Sequence, residues 1–279
     1  MKLRSIIYQS IPKKWRKTLG ASKLLKPFRD FLLREKGSYI EETVVIKKTY
    51  SGYNVNFKFV ANIQVATKAI ERGIESSIIN KAIFLLKKHK PKQGDSYTVF
   101  DVGANFGYLG FAWKQSIAKK GSVYSFEPHP NLFSSIKSSV LLNKFESFYC
   151  INKAVGKNEG IINLHLSNAT SNTLSDFSGD IVVNKSVKIK MTSLDAFVEQ
   201  NKIKTLDLIK IDVDGIEHNI LEGAKKAIVK YKPIIIVETN NDVKIHTFLR
   251  SNGYKILDMN LNECIDDSSM PLNSFGIPI

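Results

Sequence analysis

The sequence predicts an α/β fold: a doubly wound, mostly parallel sheet with helices on both faces, preceded by a helical and β-hairpin extension. Two motifs and one periodicity predict it. Residues 98–107, Thr-Val-Phe-Asp-Val-Gly-Ala-Asn-Phe-Gly, run from an apolar strand through Asp101 into a turn bracketed by Gly103 and Gly107, and an amphipathic stretch follows. Residues 123–128, Val-Tyr-Ser-Phe-Glu-Pro, repeat the apolar run and terminal acid, with Glu127 placed 26 residues after Asp101. That interval fits one βαβ unit, whose first turn and second-strand acid form a nucleotide site at the carboxyl edge of the sheet. From residue 98 onward, strand-length apolar runs alternate with helical periodicity, which demands parallel strands joined by helices.

The elements follow in order. Residues 1–40 form a basic leader, in which Leu24, Leu25, Phe28 and Leu32 fall near helical spacing and Pro27 starts a short helix. Residues 41–95 hold a hairpin over 43–61, turning at Tyr50-Ser51-Gly52-Tyr53 with Tyr53, Val55, Phe57 and Phe59 on one buried face. A helix over 75–88 follows, its apolar stripe being Ile78, Ile79, Ala82, Ile83 and Leu86. The main domain spans 96–279. Its strands are predicted at 98–102, 122–126, 148–152, 206–211, 233–238 and 254–259, with one more at the carboxyl end. Its helices are predicted at 106–119, 131–144, 194–200, 217–230 and 241–251. Residues 161–166 and 187–191 read as strands around a Ser/Asn/Thr/Gly-rich loop.

The glycine order in 103–107 is not Gly-x-Gly-x-x-Gly, and no Gly-Lys-Ser/Thr follows, so neither the dinucleotide fingerprint nor a phosphate loop is present. Asp-x-Gly-x-x-x-Gly instead resembles motif I of class I S-adenosylmethionine-dependent methyltransferases. A third stretch, 206–217, reads Leu-Asp-Leu-Ile-Lys-Ile-Asp-Val-Asp-Gly-Ile-Glu, followed by Asn219-Ile220-Leu221-Glu222-Gly223-Ala224. Together these motifs resemble the FkbM-type methyltransferase family over roughly residues 70–260. Asn152-Lys153-Ala154-Val155-Gly156, Thr192-Ser193-Leu194-Asp195 and Val237-Glu238 match it as well. The family's Asp-Val-Glu-Gly appears here as Asp212-Val213-Asp214-Gly215, which keeps the charge and shortens the side chain. The resemblance implies a seven-stranded Rossmann-like sheet with an antiparallel final strand, and S-adenosylmethionine as cofactor.

It also implies a site. Gly103 and Gly107 would underlie the methionine portion, Asp101 would meet its amino group, and Glu127, followed by Pro128, would hold the ribose. Asn105 and Tyr108 would reach the methionine carboxylate or line its pocket, and Asn152 and Ala154 would face the adenine, which His129 would border. Asp212 is the first choice for general base or acceptor-orienting group. Lys210 points to the same side of the strand and needs an acidic partner, Glu217 or Glu75. Glu217, His218 and Glu238 lie near in the expected layout. Asp212 and Glu238 would supply two hard oxygen ligands to a divalent cation; no third is identifiable, so no metal is predicted. The polar loop Asn168–Leu174 is a candidate gate for the acceptor.

Composition narrows the function. The chain has 279 residues, 43% hydrophobic and 24% charged, an ordinary globular make-up. Cys150 and Cys264 have no metal or redox spacing, Cys150 reads as a buried thiol, and no apolar run is long enough to span a bilayer. The expected location is cytoplasmic. The net charge of +15 is uneven: residues 1–36 hold eleven Lys or Arg against two acids, a net +9. Such a leader suits a solvated extension packed on the domain or a partner, an anionic membrane surface at its inner face, or nucleic acid. The activity the resemblance implies is O-methylation of a hydroxyl on a sugar, glycan or glycosylated small molecule. Against a nucleic-acid methyltransferase, there is no Asn/Asp-Pro-Pro-Tyr/Phe and no Pro-Cys motif, and the main domain is only mildly basic. A non-catalytic scaffold is the reading from another class, and the oligomeric state is left open.

Overall fold

The computed structural model describes residues 3–35, 38–92, 94–166, 173–174, 185–266 and 270–279. The leader forms α1 (Leu3–Ser10), α2 (Lys13–Ala21) and α3 (Lys26–Leu33), with Pro27 in the first turn of α3. A two-stranded ribbon, β1 (Arg34–Glu35) with β2 (Ser38–Tyr39), leads into the hairpin β3 (Glu41–Tyr50) and β4 (Tyr53–Asn62). Alternation along β3 and β4 buries Val44, Ile46, Val55, Phe57 and Phe59, while Tyr53 is only half-buried.

A helix absent from the sequence reading, α4 (Ile63–Arg72), comes next. Asn62 caps it, its side chain accepting from the Val65 amide at 2.9 Å, and Ile63, Ala66, Thr67 and Ala69 form its buried face. Helix α5 (Ser76–His89) buries the predicted stripe and Leu85 besides.

The large sheet contains β5 (Thr98–Val102), β6 (Ser122–Phe126), β7 (Phe148–Ile151), β12 (Leu208–Ile211), β13 (Ile234–Glu238), β14 (Tyr254–Leu257) and β15 (Asn273–Pro278). Their order is β14-β15-β13-β12-β5-β6-β7, and only β15 runs antiparallel to its neighbours. This is the expected seven-stranded, doubly wound sheet. A smaller sheet is built from β8 (Ala154–Val155), β9 (Gly160–Leu166), β10 (Thr173–Leu174) and β11 (Lys185–Thr192), in the order β10-β9-β11-β8. The remainder of the proposed gate, 168–172, lies outside the described residues. Neither cysteine forms a disulfide, and Cys150 is half-buried rather than buried.

The helices between strands are α6 (Tyr108–Lys114), α7 (Pro130–Asn143), α8 (Leu194–Gln200), α9 (Glu217–Glu222), α10 (Lys225–Tyr231) and α11 (Val243–Ser251). Two differ from expectation. The helix predicted over 106–119 is confined to α6, because Asn105 and Gly107 take left-handed φ values of 54° and 79° and residues after Lys114 close into tight turns on Trp113. The helix predicted over 217–230 breaks at Gly223-Ala224. There the Gly223 carbonyl accepts from the Asp195 amide, and the Asp195 carboxylate accepts from the Lys226 and Ala227 amides at 3.0 and 2.8 Å, capping α10.

One hydrophobic cluster joins hairpin, α4, α5, α6 and sheet. Phe57 and Phe59 meet the Tyr108 ring edge-on at 5.4 and 5.3 Å, and Phe57 reaches Phe111 at 5.7 Å. A smaller cluster of Tyr8, Leu19, Leu32, Leu33, Ile40 and Ile63 fixes the leader to α4.

Candidate active site

A cavity of about 370 Å³ opens at the carboxyl ends of β5, β6 and β12. Asp101, Gly103, Ala104 and Asn105 line its floor, with Glu127 and Pro128 beyond them, Lys210, Asp212, Val213 and Asp214 on one flank, and Ala154, Ile162 and Leu164 from the small sheet on another. Val65, Lys68, Ile74 and Glu75 come from α4 and the turn into α5. Of this last group the sequence reading names only Glu75, as a candidate partner of Lys210.

Two carboxylates dominate. Asp101 is 1% exposed, and neither of its oxygens has a hydrogen-bond partner. Burial pushes its pKa up, against the pull of Lys210. Glu127 is also buried; its Oε2 accepts from the Asn105 amide at 2.8 Å and its Oε1 from the His129 amide at 2.9 Å. Burial outweighs those bonds and raises its pKa to about 7. Each oxygen keeps a second lone pair for an outside donor.

Lys210 bridges the floor. Its Nζ donates to the Gly103 carbonyl at 3.0 Å and lies 3.3 Å from Asp212 Oδ2 and 3.7 Å from Asp101 Oδ1. Burial alone would lower its pKa, but Asp212, Asp101 and Glu75 together outweigh it and hold the ammonium charged. The partners of Lys210 are therefore these three acids, not Glu217. Although Glu75 is exposed as a residue, the crevice strips water from its carboxyl and pushes its pKa up. Asp212 hydrogen-bonds Glu238. Burial opposes ionisation of Asp212, yet Lys210 and that bond hold its pKa below the ordinary carboxylate value. Burial and the neighbouring Asp212 raise Glu238 to about 7.

Several expected ligands do other work. Gly103 has φ 73°, and a Cβ there would overlap the carbonyl oxygen of Asp212, so this glycine lets β5 and the end of β12 approach each other. Gly107 does not line the cavity; its missing side chain makes room for Phe111 and Ile136. Tyr108 lines the cavity with its ring, but its buried hydroxyl hydrogen-bonds Tyr50 at 2.8 Å. Asn152 stands behind Glu127, its amide donating to the Glu127 and Pro128 carbonyls at 2.9 and 3.0 Å. Glu217 accepts from the Val213 and Gly215 amides and from Asn240, shaping the turn after β12. Within that turn Asp214 has φ 62°, a left-handed position where Asp is favoured over longer side chains. His218 packs edge-on against Phe248, and His129 caps α7 through its ring nitrogen. Among the described residues no group of three or more His, Cys, Asp or Glu is arranged to hold a metal ion.

Residues 101–256 match the family model of the methyltransferase FkbM domain, more than half of the chain. The chain belongs to the FkbM methyltransferase family. It is a methyltransferase with the Rossmann-like fold described above. The curated 2-O-methyltransferase NoeI of Sinorhizobium fredii (strain NBRC 101917 / NGR234) is 22% identical over 210 residues, covering 70% of this chain and 79% of that protein. Among solved structures, the FkbM methyltransferase of Methylobacillus flagellatus KT is 16% identical with a TM-score of 0.46; the match covers 66% of this chain and 44% of that one. The crystal structure of a putative caffeoyl-CoA O-methyltransferase from Staphylococcus aureus is 12% identical, with a TM-score of 0.44; the match covers 74% of this chain and 84% of that one.

Proposed function

We propose that the protein transfers a methyl group from S-adenosylmethionine to a hydroxyl of a sugar or glycan. The observation that carries the cofactor is Asp101: a buried carboxylate lining the cavity, held by the Lys210 ammonium at 3.7 Å but with neither oxygen within hydrogen-bond distance of a donor, matches the donor amino group of a methionine moiety. Glu127 complements it, since a carboxylate at the end of the second strand can accept from both ribose hydroxyls. Ala154, Ile162 and Leu164 offer the apolar wall that an adenine needs. Oxygen as acceptor is supported by kinship to a protein named a 2-O-methyltransferase.

When bound, S-adenosylmethionine supplies an electrophilic methyl on a sulfonium. The chain must align the acceptor oxygen and remove its proton. Asp212 stands at the pocket flank to orient the hydroxyl. Its low pKa makes it a poor base by itself, but it is joined to Glu238, and the pair can take a proton near neutral pH. Lys210 keeps Asp212 ionised and oriented. Calorimetric titration with S-adenosylmethionine tests the reading, with Asp101→Ala and Glu127→Ala alongside. Micromolar binding lost in both variants supports it, and absence of binding to the unaltered protein refutes the cofactor. A methyl-transfer screen over free and nucleotide-linked sugars then tests the acceptor.

A further inference from the structure

We propose that the leader helices form a docking face for an anionic lipid surface. Eight of the twenty exposed large apolar side chains among the described residues fall within residues 3–31. Leu24 is 89% exposed, Leu3 72% and Trp15 64%, and Ile6, Phe28 and Phe31 join them. Single exposed apolar groups are ordinary, but a cluster on one short segment calls for a partner. Phe28 and Phe31 lie one turn apart on α3, and Arg4 of α1 stacks on Phe31 at 4.9 Å, so the exposed sides of α1 and α3 adjoin.

The cations divide by role. Arg4, Arg16 and Arg29 are spent on the fold: they donate to the carbonyls of Arg34, of Gln9 and Ile11, and of Gly20, and Arg16 also pairs with Glu71 at 2.7 Å. Among the described residues, Lys13, Lys14, Lys17, Lys23 and Lys26 find no ion pair or side-chain hydrogen bond. Unpaired lysines interleaved with exposed Leu, Trp and Phe are the composition of an interfacial helix, which inserts its apolar side chains while the ammonium groups meet lipid phosphates. A nucleic acid would leave Leu3, Ile6 and Leu24 without a function, and the arginines that could fork onto phosphate are engaged elsewhere.

The buried side of the leader explains why docking would matter. Leu32 and Leu33 pack with Ile63 of α4, the helix that carries Val65 and Lys68 to the cavity rim. The leader and the rim are therefore one packed unit, whatever the acceptor is.

The test uses the full chain with vesicles of phosphatidylcholine alone or with about a third phosphatidylglycerol, in flotation and by fluorescence. Trp113 is fully buried, so a blue shift on adding vesicles reports Trp15 and should vanish in Trp15→Phe. Partition onto the anionic vesicles is expected to fall roughly 30-fold in Lys13→Gln/Lys17→Gln and roughly 100-fold in Leu24→Ala/Phe28→Ala. All four positions are at the surface, so an unchanged thermal midpoint confirms that the fold is intact. Three results would each overturn the proposal: no partition at low salt, tighter binding to a short RNA that ignores Leu24→Ala/Phe28→Ala, or a dimer in sedimentation whose formation depends on those same two side chains.

Discussion

Replacing Lys210 by Met removes the cation between two acids while keeping the shape of the side chain. Nζ lies 3.3 Å from Asp212 and 3.7 Å from Asp101. At an effective dielectric of about 20, each attraction is about 4–5 kcal/mol before desolvation is counted. Asp212 is 35% exposed on its side chain, so water compensates part of its loss, whereas Asp101 at 1% has no substitute donor. Breaking a buried pair by deleting one partner costs about 3–5 kcal/mol, and the lower end is expected here. The urea midpoint should drop by about 1 M. The pH dependence has a definite sign. The pKa of Asp101 is already raised in the folded state, so its contribution is fully present below the unfolded value and is lost as pH rises through the folded one. Without Lys210 that folded value climbs further. The deficit of Lys210→Met relative to the unaltered protein should therefore be small near about pH 4 and largest near about pH 8. Adding Asp101→Asn should recover most of the loss, a strong coupling in a double-mutant cycle. A loss under about 1 kcal/mol, equal at both pH values and additive with Asp101→Asn, would refute the assigned charge balance.

Three further outcomes are expected. Gly103→Ala should destabilise by about 3 kcal/mol or more, because both the left-handed φ and the Asp212 carbonyl oppose it, while Gly215→Ala, at φ 106° with open space around it, should cost about 1 kcal/mol; equal losses in denaturant would contradict the close strand approach. Affinity for S-adenosylmethionine should strengthen as pH rises through about 7, the value for Glu127, since the ionised carboxylate is the better acceptor for two hydroxyls, and Glu127→Gln should flatten that profile in calorimetry. Glu238→Gln should lower kcat by about 10²-fold or more with cofactor affinity unchanged, because Glu238 reaches the cavity only through Asp212; a parallel loss of affinity would show that it acts on binding instead.

Local spacing made the cavity-bearing edge of the sheet legible. Asp101, Glu127 and Asp212 each end an apolar run, and parallel pairing brings such ends to one edge whatever the intervening helices contain. Function within that edge was harder to read. A glycine with positive φ looks the same in sequence whether it admits a ligand or, like Gly107, a phenylalanine from its own helix. Glu217 lies in a run of acids near the site, yet its partners are backbone amides of a turn that forms only once Asp214 and Gly215 adopt left-handed φ. Helix α4 was within reach: Asn62 as cap, Ile63, Ala66 and Ala69 as a stripe and Gly73 as terminator all stand in the sequence. Its place on the cavity was not, because contacts between a helix outside the main domain and strand ends that lie from 26 to more than 130 residues downstream of Glu75 leave no local periodicity.

The hairpin's aromatic face has a practical corollary for anyone trimming this chain. The family model begins at Asp101, but Phe57 and Phe59 are the packing partners of Tyr108 and Phe111, and Tyr50 satisfies the hydroxyl of Tyr108. A protein started at Ser96 would present a bare aromatic slab to water and leave a phenol without its mate. It would be expected to aggregate on expression, so the smallest soluble fragment should include the hairpin.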